Sequence, residues 1–156
     1  MTPVPATTNP REISYETTRE VRDTCLCLAT QRAARALARR FDDAFRALGL
    51  TNGQFSLLMA LNRPKPPSIG PLAEFLAMDR TTLTAALKPL ERRKLIRVAV
   101  DPDDRRGRLL HLTANGRKLL AKALPIWREN HQTLDRQMII AASVREDLAK
   151  LARVSA

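Results

Sequence analysis

Three arginines, Arg105, Arg106 and Arg108, crowd into residues 101–108, where DPDD and a glycine favour a turn. Cations on a turn tip are slim enough to enter a narrow minor groove, where the potential of a duplex is most negative. Earlier in the chain, Asp79 is followed by Arg80, Thr81, Thr82, Thr84 and Lys88, short hydroxyls and cations of the kind that reach phosphates or base edges. Any one of these residues alone is an ordinary solvated surface group. Both clusters in one short module point to double-stranded DNA.

Other reactive side chains offer less. Cys25 and Cys27 are the two cysteines of the chain, too few for a disulfide scaffold or a metal site, and they fit a reducing cytoplasm. Two residues apart on a helix, their thiols would point about 200° from each other, which disfavours a bond between them. Cys25 also continues the apolar spacing of Val21 and Leu28, so an inert packed thiol stands beside the redox reading. Arg32, Arg35 and Arg39 line another face, either as a solvated stripe or as attractors for an anionic ligand such as an aromatic carboxylate or an acyl-CoA thioester. His111 and His131 lack the spacings of a triad or a metal site, and there is no Gly-rich phosphate loop. No enzyme and no cofactor are expected.

Composition agrees. Twenty-seven Lys and Arg against sixteen Asp and Glu leave a net charge of +11, spread along the chain rather than held in one tail, which makes a polyanion the first partner to consider. A non-specific architectural or RNA-binding role fits charge alone, but four Phe, one Tyr and one Trp provide few platforms for stacking single strands. With 44% hydrophobic residues over 156 positions, the chain has material for one folded domain with dimerising extensions. No run is apolar for long enough to cross a membrane, and the first residues lack the apolar core of a secretion signal.

Hydrophobic spacing supplies the elements that must position these residues. Residues 1–17 read as a mostly flexible arm. Val21, Cys25, Leu28, Leu37, Phe41, Phe45 and Leu48 predict one long amphipathic helix over 18–48, stopped by Gly49. Thr51 and Gln54 form a capping-box pattern ahead of Phe55, Leu58 and Met59, and Pro64, Pro66 and Pro67 end that helix. Ser68 is the predicted cap of a short helix with Leu72, Phe75 and Leu76, and Asp79 of the next, whose Leu83, Leu87 and Leu90 point inward. Ile96, Val98 and Val100, then Leu110 and Leu112, alternate as two strands of a hairpin. Thr113 caps a helix through Leu119, Leu120, Ala123, Leu124 and Trp127, bent at Pro125, and Ser143 with Glu146 repeats the capping pattern before Leu148 and Leu151.

The sum is a mainly α fold with a small β-hairpin wing: a winged helix-turn-helix over 49–112, flanked by dimerisation helices at 18–48 and 113–156. The apolar stripes on the flanking helices exceed what the compact centre can cover, so a second copy is the expected partner.

The stretches LGLTNGQFSLLMAL (48–61), LAEFLAMDRTTLTAALKPLERRKLIRVAVDPDDRRGRLLHLTANGRKLL (72–120) and PIW (125–127) resemble the MarR family of bacterial transcription factors, the multiple antibiotic resistance regulators. The resemblance runs over residues 20–152 and is most specific in the recognition helix, the D-x-R wing and the L-T-x-x-G-R start of the next helix. It implies a homodimer, a palindromic operator, and a small-molecule effector that weakens DNA binding, lodged between the dimerisation helices and the winged domain. The DNA-facing set it implies is Ser68, Arg80, Thr81, Thr82, Thr84 and Lys88 with Asp104, Arg105, Arg106 and Arg108, Asp104 supporting Arg106. One branch of the family senses peroxides through a cysteine near the place of Cys25 and Cys27. This chain departs from the family at Lys94, where relatives commonly carry glycine: a side chain in left-handed geometry there costs about 1–2 kcal/mol unless the helix exits by another route. Pro89 is a second irregularity, inside the recognition helix.

Overall fold

The computed structural model describes residues 13–138 and 140–153. Among them are seven α-helices and one antiparallel hairpin, and the chain divides into two units between Leu37 and Ala38.

The first unit holds helix α1 (Tyr15–Thr24) and the opening of α2 (Leu26–Phe45). Where the spacing predicts one long helix there are two, parted at Cys25, whose backbone is extended at φ −74°, ψ 108°. Asp23, Thr24 and Cys25 are all poor helix formers, so the break falls where local propensity is weakest. The Cys25 thiol then takes a capping role at the head of α2, its Sγ accepting from the Leu28 amide at 3.5 Å. Of the arm assigned to residues 1–17, the last three belong to α1. The Ser14 hydroxyl accepts from the Thr17 amide at 3.2 Å and starts α1 there, while residues 1–12 lie outside the described residues. No residue of α1 is buried, and Tyr15, Val21, Leu26 and Leu37 are exposed.

The second unit begins inside α2, where Phe41 and Phe45 turn inward. A 3-10 turn over Arg46–Leu48 closes on Gly49, whose φ of 59° is a conformation glycine adopts without a Cβ clash. Helix α3 (Asn52–Leu61) opens with the expected capping box: the Thr51 hydroxyl accepts from the Gln54 amide and the Gln54 side chain accepts from the Thr51 amide, each at 3.2 Å. Then come α4 (Ile69–Phe75), α5 (Arg80–Arg92), strands β1 (Ile96–Val100) and β2 (Arg108–Leu112), α6 (Ala114–Gln137) and α7 (Ala141–Leu151). Phe45, Leu58, Leu72, Leu83, Leu90, Ile96 and Leu110 form the fully enclosed centre of the core. Each such side chain stabilises the fold by about 1.5–3 kcal/mol relative to exposure. Phe45 stacks on Phe55 at 4.8 Å, and Phe55 faces Trp127 at 6.4 Å, so α2, α3 and α6 share one aromatic seam.

Some apolar residues of these elements stay outside the core. Phe75 is 66% exposed, with the Arg63 guanidinium 5.5 Å over its ring. Val98 and Val100 are open as well: the hairpin is buried at its root, where Ile96 pairs with Leu112, and leaves the core toward its tip. Ser143 does not cap α7, whose cap position lies three residues earlier, at Ile140. Ala141 and Ala142 are strong enough helix formers to extend it. Helix α6 runs on as helix through Pro125.

Candidate nucleic-acid interface

Helices α4 and α5 are joined by a turn in which Ala77 takes a left-handed φ of 50°, its amide donating to the Glu74 carbonyl. Asp79 then caps α5 as expected. Its carboxylate accepts from the Thr82 amide at 2.8 Å and from the Thr82 hydroxyl at 2.5 Å. The Thr82 hydroxyl, aided by backbone amides, holds the Asp79 carboxyl below its ordinary range, so the cap carries its charge at the positive end of the helix.

Leu83, Leu87 and Leu90 anchor the inner face of α5, which leaves Thr81, Thr84, Ala85 and Lys88 together on the exposed face at helical spacing. Of the predicted set, Thr84 donates its hydroxyl proton to the Arg80 carbonyl at 2.7 Å. Arg80 leans toward α4: a guanidinium nitrogen lies 3.2 Å from where a Cβ on Gly70 would stand. Ala85 announces no chemistry by its type, yet it is exposed in the middle of this face.

The wing loop is organised from within. The Asp101 amide donates to the Gly107 carbonyl at 3.1 Å, the Gly107 amide to the Asp104 carbonyl at 2.8 Å, and the Asp103 amide to Asp101 Oδ1 at 2.9 Å. Asp104 supports Arg106 through the main chain, its Oδ1 accepting from the Arg106 amide at 2.9 Å; the ion pairs among the described residues do not include these two side chains. Arg105 and Arg106 are therefore exposed on a fixed backbone. Arg108 is different, because its Nη1 donates to the Arg105 and Gly107 carbonyls at 3.1 and 3.0 Å and braces the loop.

Ser68 occupies the cap position of α4 without a capping hydrogen bond. It bridges instead to Leu109 of β2, beside a bond from the Leu110 amide to the Pro67 carbonyl at 2.9 Å. This ties the head of α4 to the wing. At the other end of the hairpin, Lys94 takes the left-handed φ of 56° with its side chain in place, so the departure from glycine is accommodated rather than bypassed. Its carbonyl and that of Leu95 receive the Thr113 hydroxyl at 2.8 and 2.9 Å, while Thr113 caps α6 through the Gly116 amide. Arg117 Nη1 adds a bond to the Leu112 carbonyl at 2.9 Å. The L-T-x-x-G-R motif is a joint between hairpin and helix.

The other candidates lie elsewhere. Cys25 is half-buried and Cys27 exposed, and they are separated by the end of the helix break instead of sharing one regular helix. Arg32, Arg35 and Arg39 are exposed, Arg35 donating to Gln31 Oε1 at 3.2 Å. Neighbouring Arg40, not singled out from sequence, reaches Asn130 of α6 at 3.2 Å. Between α3 and α6 a cavity of about 250 Å³ is lined by Met59, Leu120, Ala121 and Leu124, with Asn62 and Arg117 as its polar members. Among the described residues no group of His, Cys, Asp or Glu has a metal-site arrangement, and no helix is long and apolar enough to cross a membrane.

A helix-turn-helix followed by an arginine-tipped hairpin defines a winged helix, a DNA-binding class of fold. The sequence model of the MarR family matches residues 50–107. The transcriptional regulator MosR of M. tuberculosis, crystallised in complex with DNA, superposes with a TM-score of 0.77 and 38% identity over 83% of this chain and 94% of MosR. BpsR of Bordetella bronchiseptica, whose DNA binding is regulated by 6-hydroxynicotinic acid, superposes with a TM-score of 0.74 and 26% identity over 85% of this chain and 96% of BpsR. The transcriptional activatory protein BadR of Rhodopseudomonas palustris is 40% identical over 77 residues; that match spans 47% of this chain and 44% of BadR. The chain belongs to the MarR family of DNA-binding transcriptional regulators.

Proposed function

We propose that two copies of this chain grip a palindromic operator as a repressor, each laying α5 in the major groove and its wing in the adjacent minor groove, and that a small-molecule effector releases them. The observation that carries this reading is the wing tip. Arg105 and Arg106 are exposed, have no acidic partner among the described ion pairs, and sit on a backbone already fixed by Asp104. Minor-groove potential rewards cations held in this way.

The dimer reading draws on α7, where Val144, Leu148 and Leu151 form an exposed apolar stripe at helical spacing. Two-fold symmetry would set the two α5 helices about 34–36 Å apart, one turn of DNA. The effector reading draws on the cavity between α3 and α6, whose apolar wall and Arg117 suit a small anionic aromatic, and on the behaviour of BpsR. Arg32, Arg35 and Arg39 remain candidate attractors for such an anion.

The test is selection of bound duplexes from a random pool, repeated with a panel of aromatic carboxylates, together with light scattering of the free protein. Enrichment of a symmetric site, a mass of two chains, and loss of binding with at least one ligand are expected. A monomer that enriches no sequence would end this reading.

A thiol-based version has one observation in its favour: the helix break lifts the angular objection to joining Cys25 and Cys27, since Cys25 is extended and acts as the cap of α2. In that version peroxide releases the protein from DNA, and the double variant C25S/C27S is insensitive. Release that persists in the double variant excludes it.

A further inference from the structure

We infer that α5 reads thymine through its methyl groups, with Ala85 and Thr84 presenting a methyl surface at the centre of the exposed face, where the Thr84 hydroxyl already gives its proton to the Arg80 carbonyl. This rests on the proposal that α5 enters the major groove, and it names the base chemistry that such a helix selects.

Guanine presents only acceptors, N7 and O6, to the major groove, so reading it calls for a donor at the centre of the helix face. Thr84 has committed its hydroxyl proton to the Arg80 carbonyl at 2.7 Å, and Thr82 its own to the Asp79 carboxylate at 2.5 Å. Both oxygens keep lone pairs and can only accept. Ala85 has nothing but a methyl group, exposed between them and Lys88. The Arg80 guanidinium leans over Gly70, away from the centre of the face. At its centre this face therefore offers apolar contact, with donors only toward its two ends, the Thr81 hydroxyl and the Lys88 ammonium. An A·T pair matches that centre through the thymine C5-methyl, whereas the acceptors of a guanine edge would meet no donor there.

Replacing thymidine by deoxyuridine in the selected duplex, one position at a time, removes a methyl and no hydrogen-bonding group. At one or two thymidines of each half-site the wild-type protein should lose about fourfold in affinity by fluorescence anisotropy, the effect of one buried methyl-sized group. That loss should vanish at the matching position in T84S or A85G, while T84V, which keeps a methyl and discards the hydroxyl, binds within about twofold of wild type. Uridine tolerated at every position overturns the inference, as does a T84V protein that loses binding while T84S retains it. If no duplex is selected at all, it is the placement of α5 in DNA that has failed, and the methyl reading falls with it.

Discussion

Gly116 lies so close to Leu95 that a Cβ on it would come within 2.2 Å of the Leu95 carbonyl oxygen and 2.6 Å of Leu112 Cδ1. The first contact is with backbone, which cannot rotate away as a side-chain tip can. G116A is expected to destabilise the fold by about 1–3 kcal/mol, read as a lower urea midpoint. A midpoint equal to that of wild type would mean that the joint between hairpin and α6 is looser than described.

Lys94 gives the opposite sign. Its φ of 56° is left-handed, where a Cβ crowds the following carbonyl. K94G removes that clash, offset in part by the greater chain entropy of unfolded glycine, and should raise stability by about 1 kcal/mol. The denaturant midpoint rises while the m-value stays the same.

For the wing, R106A is expected to weaken operator binding by about 1–3 kcal/mol with circular dichroism and oligomeric mass unchanged. K88A should instead lower affinity across all sequences and reduce the salt slope by about 1, as a phosphate contact does. An unaltered R106A titration would remove the wing from the mechanism.

His111 sits opposite Arg97 in the β ladder, and burial together with the Arg97 charge pushes its imidazole below the ordinary histidine range. The folded form thus favours neutral imidazole. The unfolded chain binds the proton more readily, so this contribution is fully present above about pH 6.5 and is lost as pH falls through the lower folded value. H111Q should flatten the wild-type rise in thermal midpoint with increasing pH below neutrality. An H111Q profile as steep as wild type would place the titration elsewhere.

What the sequence declares about this fold is what short-range physics decides. The Thr51–Gln54 box, the Asp79 cap and the inward Leu83, Leu87 and Leu90 depend on residues within a turn or two of each other, and all appear where expected. The break at Cys25 was hidden because the apolar spacing continues across it. The exposure of Phe75 and Val100 is illegible for a related reason: periodicity says which side chains share a face and not whether anything covers that face. At the site, the arginine cluster was visible by type, but the bracing role of Arg108 and the bridge from Ser68 to Leu109 depend on how distant segments meet. Ala85 was passed over because a methyl surface becomes meaningful only beside hydroxyls whose protons are already in use.

Thr113 and Arg117 clasp the carbonyls of Lys94, Leu95 and Leu112, so the first turn of α6 and the base of the hairpin are riveted at more than one point. A pivot fastened in this way transmits torque instead of absorbing it. Were α6 to tilt, the base of the hairpin would be carried with it, and the arginine tip, farthest from the joint, would be displaced the most.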